Sequence, residues 1–212
     1  MIFAAVADER RQIASLIDEL DEAKLATPSL CEGWDVKMVA AHLVSVIADS
    51  FWTFQRTALR RRGIDRAIDE LARRRARLSS AEISTSLRRY ADHELSPPIT
   101  GPRSGLTDVL VHGGDIRVPL GMPFAPAHER VGLALDFLTG SLPLGFVPRA
   151  RLRGICLRAT DVDRTWGMGA EVRGPASALM MSACGRTALL NNLDGPGVPL
   201  LRHRLSTGKP RA

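Results

Sequence analysis

His42 lies between Val39 and Val46 on the apolar side of the longest helical pattern in the chain. A histidine there is expensive to bury unless its ring nitrogens find partners. Taken alone it reads first as a core histidine with satisfied nitrogens. A second feature is Asp108, four residues before His112. On a helix, positions i and i+4 differ by only about 40° in direction, so both side chains share one face, and Asp115 extends the same stripe. Alone, that pair reads first as a local hydrogen bond or an exposed couple. Together the two features permit more, because a bundle can hold one divalent ion with a ligand from one inward helix face and an i, i+4 pair from another. Three nitrogen and oxygen ligands with a vacant fourth position are the arrangement of a catalytic zinc. Imidazole and carboxylate also suit nickel, iron or manganese.

The elements that must carry these residues follow from apolar periodicity. A first amphipathic helix is predicted from about Ala4 to Lys24 through Val6, Ile13, Leu16, Ile17 and Leu20, ending before Thr27-Pro28. After the loop SLCEGW, a second and longest helix is predicted from Asp35 through the run that ends in RTALRR, burying Val36, Val39, Leu43, Val46, Ile47 and Phe54. A charged helix follows Gly63. Ser79 and Glu82 then resemble a capping box opening a helix to about Leu95, closed by Ser96-Pro97-Pro98. ITGPRSG reads as a connector, LTDVLVHGGDIRVPLG as a helix ending before Gly121, and His128 to Leu138 as one more. After Pro148 the pattern changes. RLRGICLRAT reads as a strand, Asp161-Val162-Asp163 as a turn and RTWGMGAEV as one or two short strands. PASALMMSAC then reads as a helix with proline at its first position and Gly185 just past its end. The expectation is a helical bundle to about Pro148 with a small α/β unit packed against it, and a loose polar tail, STGKPRA.

Composition narrows the class. The 212 residues, 45% hydrophobic and 25% charged, are ordinary globular values and exclude a wholly disordered or fibrous chain. Cys31, Cys156 and Cys184 form no CxxC pair, so a disulfide framework and a four-cysteine zinc site are both disfavoured and a reducing cytoplasm is the natural compartment. The start, MIFAAVADERRQ, does not read as a secretory signal, and no segment offers the roughly 20 apolar residues of a spanning helix. The formal charge of +6 invites a nucleic-acid reading. Against it, Asp65, Asp69 and Glu70 interleave the arginine run at salt-bridge spacing, and aromatics are only 5% of the chain, leaving little surface for base stacking.

With these residues in view, SLCEGWDVKMVAAHL resembles the loop and metal-histidine helix of the mycothiol-dependent maleylpyruvate isomerase family, within the DinB-like superfamily. HGGDIRVPLG resembles its second characteristic segment. ATDVDRTWGMGAEVRGPASALMMSACGR resembles its C-terminal extension, so the likeness spans nearly the whole chain. It implies a mainly α fold, a DinB-like four-helix bundle over residues 1–148 with a small α/β extension over residues 149–212. It makes His42, Asp108 and His112 the metal ligands, zinc the first choice of ion, and mycothiol or a similar thiol the cofactor. The family has glutamate where this chain has Asp108, which is one methylene shorter. The implied activity is thiol-dependent transfer or isomerisation of a small electrophile, since a divalent ion lowers the pKa of a coordinated thiol. The thiol is expected in a pocket between the bundle's metal end and the extension. Arg186 aligns with an arginine typical of these extensions and could hold a substrate carboxylate by a bidentate contact; otherwise it is a surface arginine near a helix end.

Other features are set aside. GMGAEVRG follows no strand-to-helix turn of the dinucleotide-binding kind, and TGKP lacks phosphate-loop glycine spacing. Trp34 and Trp166 read as core or junction packing, and Cys31, beside Glu32, as no nucleophile. Two competing classes stand beside the enzyme. One is a non-catalytic metal-binding protein with a stress or regulatory role. The other is a nucleic-acid binder, whose affinity depends on salt and survives loss of His42. Small-molecule partners and no membrane are expected, and a homodimer is compatible with the pattern.

Overall fold

The structure, a computed structural model, describes residues 1–148 and 150–207. It is mainly helical, with a three-stranded sheet in the C-terminal part. Among the described residues the chain divides into two compact units, Met1–Leu95 with His112–Met122, and Ser96–Val111 with the described residues between 123 and 207.

The first unit holds α1 (Ile2–Glu19), α2 (Glu22–Leu25), α3 (Val36–Ala48), α4 (Phe51–Arg61), α5 (Ile64–Arg75) and α6 (Ser80–Arg89). Helix α3 packs against α5 and α6, and α1 against α6. Their shared core includes Ile13, Ile17, Val39, Ile83 and Leu87, each at 1% exposure or less. Burying each such side chain fully contributes about 1.5–3 kcal/mol. The caps follow the sequence closely. Asp35 accepts from the Met38 amide at 2.7 Å to start α3, and Ser79 and Glu82 complete the expected capping box of α6.

Two expected helices are divided. The first breaks at Leu20, and Asp21 caps the short α2 by accepting from the Lys24 amide. The longest breaks at Asp49, whose backbone is extended, and Ser50 caps α4 by accepting from the Thr53 amide at 3.2 Å. Asp49 is held there by Arg75 at 2.5 Å. Further along, α6 stops at Arg89 rather than Leu95. Carbonyls just past it are met by the buried Arg10, whose Nη1 donates to Ala91 and His93 at 2.8 Å each. The arginine run is a paired surface, with Arg60 and Arg61 on Glu70 and Arg73 on Asp69 at 3.0 Å.

Helix α7 (Gly101–Arg117) is continuous through both units and begins inside the stretch read as a connector. Pro102 is compatible with that start, because a first-turn residue needs no amide donor.

The second unit also contains α8 (His128–Leu138), β1 (Ile155–Ala159), β2 (Thr165–Gly167), β3 (Ala170–Gly174), α9 (Ala176–Ala183) and α10 (Val198–Thr207). The sheet order is β2-β1-β3, antiparallel between β1 and β2 and parallel between β1 and β3, with Leu157 opposite both Trp166 and Val172. Helix α9 packs on α8 and on β1 and β3. Pro175 is its N-cap rather than its first residue, and the Asp161 carboxylate accepts from the Ala176 amide at 3.0 Å. Gly185 follows at φ +99°, a backbone conformation that suits glycine. Helix α10 was not expected from the sequence. It includes Ser206 and Thr207 of the tail read as loose, whose remaining residues lie outside those described.

Candidate metal centre

Helices α3 and α7 supply the histidines. The Asp35 cap sets the start of α3, and His42 follows two turns later, 6% exposed and flanked by Val39 and Leu43. On α7, Asp108 sits one turn before His112, which is 6% exposed, and the fully buried Asp115 follows three residues later. The ligand atoms of His42, Asp108 and His112 all lie within 4.8 Å of one another. The two imidazole rings meet edge to face, their centroids 4.8 Å apart.

Asp115 is not one of that trio. Its Oδ2 lies 2.9 Å from Nδ1 of His112, a hydrogen bond in which the ring donates to the carboxylate. A proton held at Nδ1 leaves the Nε2 lone pair for a ligand, the usual arrangement behind a metal-bound imidazole. Two buried imidazoles and a half-buried carboxylate form the nitrogen and oxygen donor set that suits zinc and related divalent ions. The residues present therefore fit a resident ion.

The loop from Ser29 to Trp34 completes the surroundings. Ser29 closes it twice on the Trp34 carbonyl, through its amide at 2.9 Å and its hydroxyl at 2.8 Å, and the Trp34 amide returns to the Cys31 carbonyl at 3.1 Å. The Leu30 amide donates to the Asp115 carbonyl at 3.3 Å. So fixed, Trp34 places its ring 5.2 Å from that of His42 and 6.5 Å from that of His112. Its Nε1 donates to Asp69 at 3.0 Å. Burial pushes the Asp69 carboxyl up, but the hydrogen bonds from Arg73 and Trp34 and the neighbouring arginine charges outweigh it and leave the group below its ordinary value. Trp34 thus lines the histidine cluster, where sequence reasoning had it only as packing. Cys31 was also passed over, yet it is buried with its Sγ 3.0 Å from Oδ2 of Asp115. The available signal was position, since both residues belong to the loop that opens directly into the His42 helix.

Arg186 follows α9 in the second unit, half-buried, and its Nη1 donates within its own turn to the Cys184 carbonyl at 2.9 Å. Trp166 is buried on β2 with its Nε1 donating to Asp136 of α8 at 2.8 Å, the structural role expected of it.

The fold and this cluster define the class: a helical-bundle protein with a buried histidine and carboxylate centre and an appended α/β element. Residues 6–93 match the family model described as mycothiol maleylpyruvate isomerase N-terminal domain. Among solved structures, the chain is similar to the crystal structure of the mycothiol-dependent maleylpyruvate isomerase, with a TM-score of 0.57 at 12% identity, covering 100% of this chain and 95% of that one. The structure of a histidine-to-alanine mutant of that isomerase matches with the same TM-score, identity and coverage. At this identity the likeness establishes the fold. No curated protein matches the sequence. No helix among the described residues is long and apolar enough to cross a membrane.

Proposed function

We propose that this protein is a metal-dependent enzyme that uses mycothiol, or a similar low-molecular-weight thiol, to transfer or isomerise a small electrophilic substrate. The observation that carries the reading is the approach of His42, Asp108 and His112 to within 4.8 Å in a chain whose residues 6–93 match the mycothiol maleylpyruvate isomerase N-terminal domain model. His42 and His112 hold the ion through imidazole nitrogens and Asp108 through a carboxylate oxygen, with zinc the first choice. A bound divalent ion supplies thiolate at neutral pH by lowering the pKa of a coordinated thiol.

The chain's own residues do the remainder. Asp115 holds the His112 proton on Nδ1 and fixes the ring. Trp34 shields one side of both imidazoles from water, which strengthens the charge interactions at the cluster. Arg186 offers a guanidinium fork for a substrate carboxylate. When bound, the thiol would supply a nucleophilic sulfur for an activated carbon of the substrate.

Titration of metal-loaded protein with mycothiol, followed by calorimetry and metal-edge spectroscopy, tests this reading. Stoichiometric binding with sulfur entering the metal shell is expected, and conversion of maleylpyruvate in the presence of the thiol is the first activity to assay. Absence of binding at millimolar thiol overturns it. A second reading, a metal-binding protein without catalysis, follows from the resemblance, which puts glutamate where this chain has the shorter Asp108.

A further inference from the structure

Behind the three proposed ligands lies a second cluster that the mechanism above uses only in part. Cys31, Asp115 and His112 are all buried, and their ligand atoms also fall within 4.8 Å of one another. Oδ2 of Asp115 is the common point, 2.9 Å from His112 Nδ1 and 3.0 Å from Cys31 Sγ, while sulfur and nitrogen stand 3.7 Å apart. The two short spacings to Oδ2 are those of donors resting on one carboxylate oxygen, so the three groups form a hydrogen-bonded chain.

We propose that Cys31 is a positioning residue for the metal centre: its thiol donates to Asp115 Oδ2 and, with the Leu30 amide on the Asp115 carbonyl, locks the carboxylate that holds His112 in the Nδ1–H tautomer. The inference rests on the reading of His112 as a ligand. A thiol is a weak donor, but here it is fixed in place: the Cys31 amide is held by the Ser29 hydroxyl at 3.1 Å and its carbonyl by the Trp34 amide at 3.1 Å. The loop thereby reaches both histidines. Trp34 packs on their rings, and Cys31 acts on His112 through Asp115. In this role the thiol is a hydrogen-bond donor to Asp115, neither a ligand nor a nucleophile.

The test uses the full chain and needs no activity. In metal-free protein, nitrogen-detected NMR of the histidine rings should show His112 protonated at Nδ1. Asp115→Asn should reverse that tautomer, because an asparagine amide can donate to Nδ1. Cys31→Ala should leave a mixture of tautomers, and Cys31→Ser, which keeps a hydroxyl donor, should restore the wild-type state. Zinc affinity from chelator competition should fall about threefold to tenfold in Cys31→Ala. In Asp115→Asn it should fall about tenfold to 100-fold, whereas Cys31→Ser should remain within twofold of wild type. Cobalt-loaded protein without added thiol should show no thiolate-to-metal absorption band. Such a band that disappears in Cys31→Ser would make Cys31 a ligand and overturn the inference, as would Cys31→Ala with wild-type tautomer and affinity. If Cys31→Ala does not fold, Cys31→Val, close in size and without a donor, takes its place with the same expected and overturning outcomes. If wild-type protein binds no metal, the proposed function fails, and the tautomer measurements still settle what Cys31 does.

Discussion

Zinc binding at His42, Asp108 and His112 should appear as thermal stabilisation that depends on both histidines. The ligand atoms lie within 4.8 Å of one another, whereas a tetrahedral shell with bonds near 2.0 Å sets them about 3.3 Å apart, so they must close by about 1.5 Å at most. Torsional adjustment of that order costs about 0.5–1.5 kcal/mol per side chain. That is small beside the roughly 10–16 kcal/mol of a full zinc shell in small structural sites. At free zinc about 100 times Kd, a ligand that binds only the folded state stabilises it by about 2.7 kcal/mol. For a chain of this size each kcal/mol moves Tm by about 2–4 °C, giving an upward shift of about 5–11 °C. The assay is differential scanning fluorimetry of each variant with and without zinc, so that the cost of removing a buried ring cancels within each pair. His42→Ala and His112→Ala should each reduce the shift to about 2 °C or less. A variant lacking both histidines that still gains the full wild-type shift refutes the assignment.

Other expectations concern the ligand of altered length and two anchors. Asp108→Glu should hold zinc at least as tightly as wild type in chelator competition, and Asp108→Ala should lose about tenfold or more, because a bound ion loses one of three protein ligands. Arg10→Met should lower the unfolding free energy by about 3 kcal/mol in urea titrations, since two carbonyls past α6 lose a charged donor; an unchanged midpoint would remove Arg10 from the account of why α6 stops. Asp136 accepts from Trp166 and from Arg164 at 2.6 Å; burial raises its carboxyl, but these donors and the arginine charge hold it below its ordinary value. Its contribution is therefore present above the unfolded value of about 3.9 and fades as pH falls through the lower folded one. Asp136→Asn should cost about 1–2 kcal/mol at pH 7 and lose less than wild type on going to pH 3, read from urea midpoints.

How much could be read beforehand varied with the physics involved. His42, Asp108 and His112 were legible because inward placement on one helix and i, i+4 spacing on another are local facts, and the structure brings their ligand atoms together. The break at Asp49-Ser50 was hidden, because apolar spacing continues across it and the serine cap acts within a stretch that otherwise propagates a helix. The start of α7 was hidden by Gly101-Pro102, a pair that suits a turn as well as a first helical turn. Cys31 could not be assigned from spacing at all, since its thiol meets Asp115 and His112 of α7, about 80 residues away along the chain, and Trp34 meets rings on both α3 and α7.

The distance along the chain between the two halves of the cluster has its own consequence. His42 and Asp108 bracket a segment of roughly 65 residues whose ends meet at the centre, and the entropy of closing such a loop rises only with the logarithm of its length. Ten further residues in it would add about 0.1 kcal/mol. Length in the α4 to α5 region is thus nearly neutral for the centre, as long as α3 and α7 keep their register. Insertions, tags or a grafted binding segment placed around Gly63 should leave the histidines where they are, making that turn the natural site for engineering the surface without touching the chemistry.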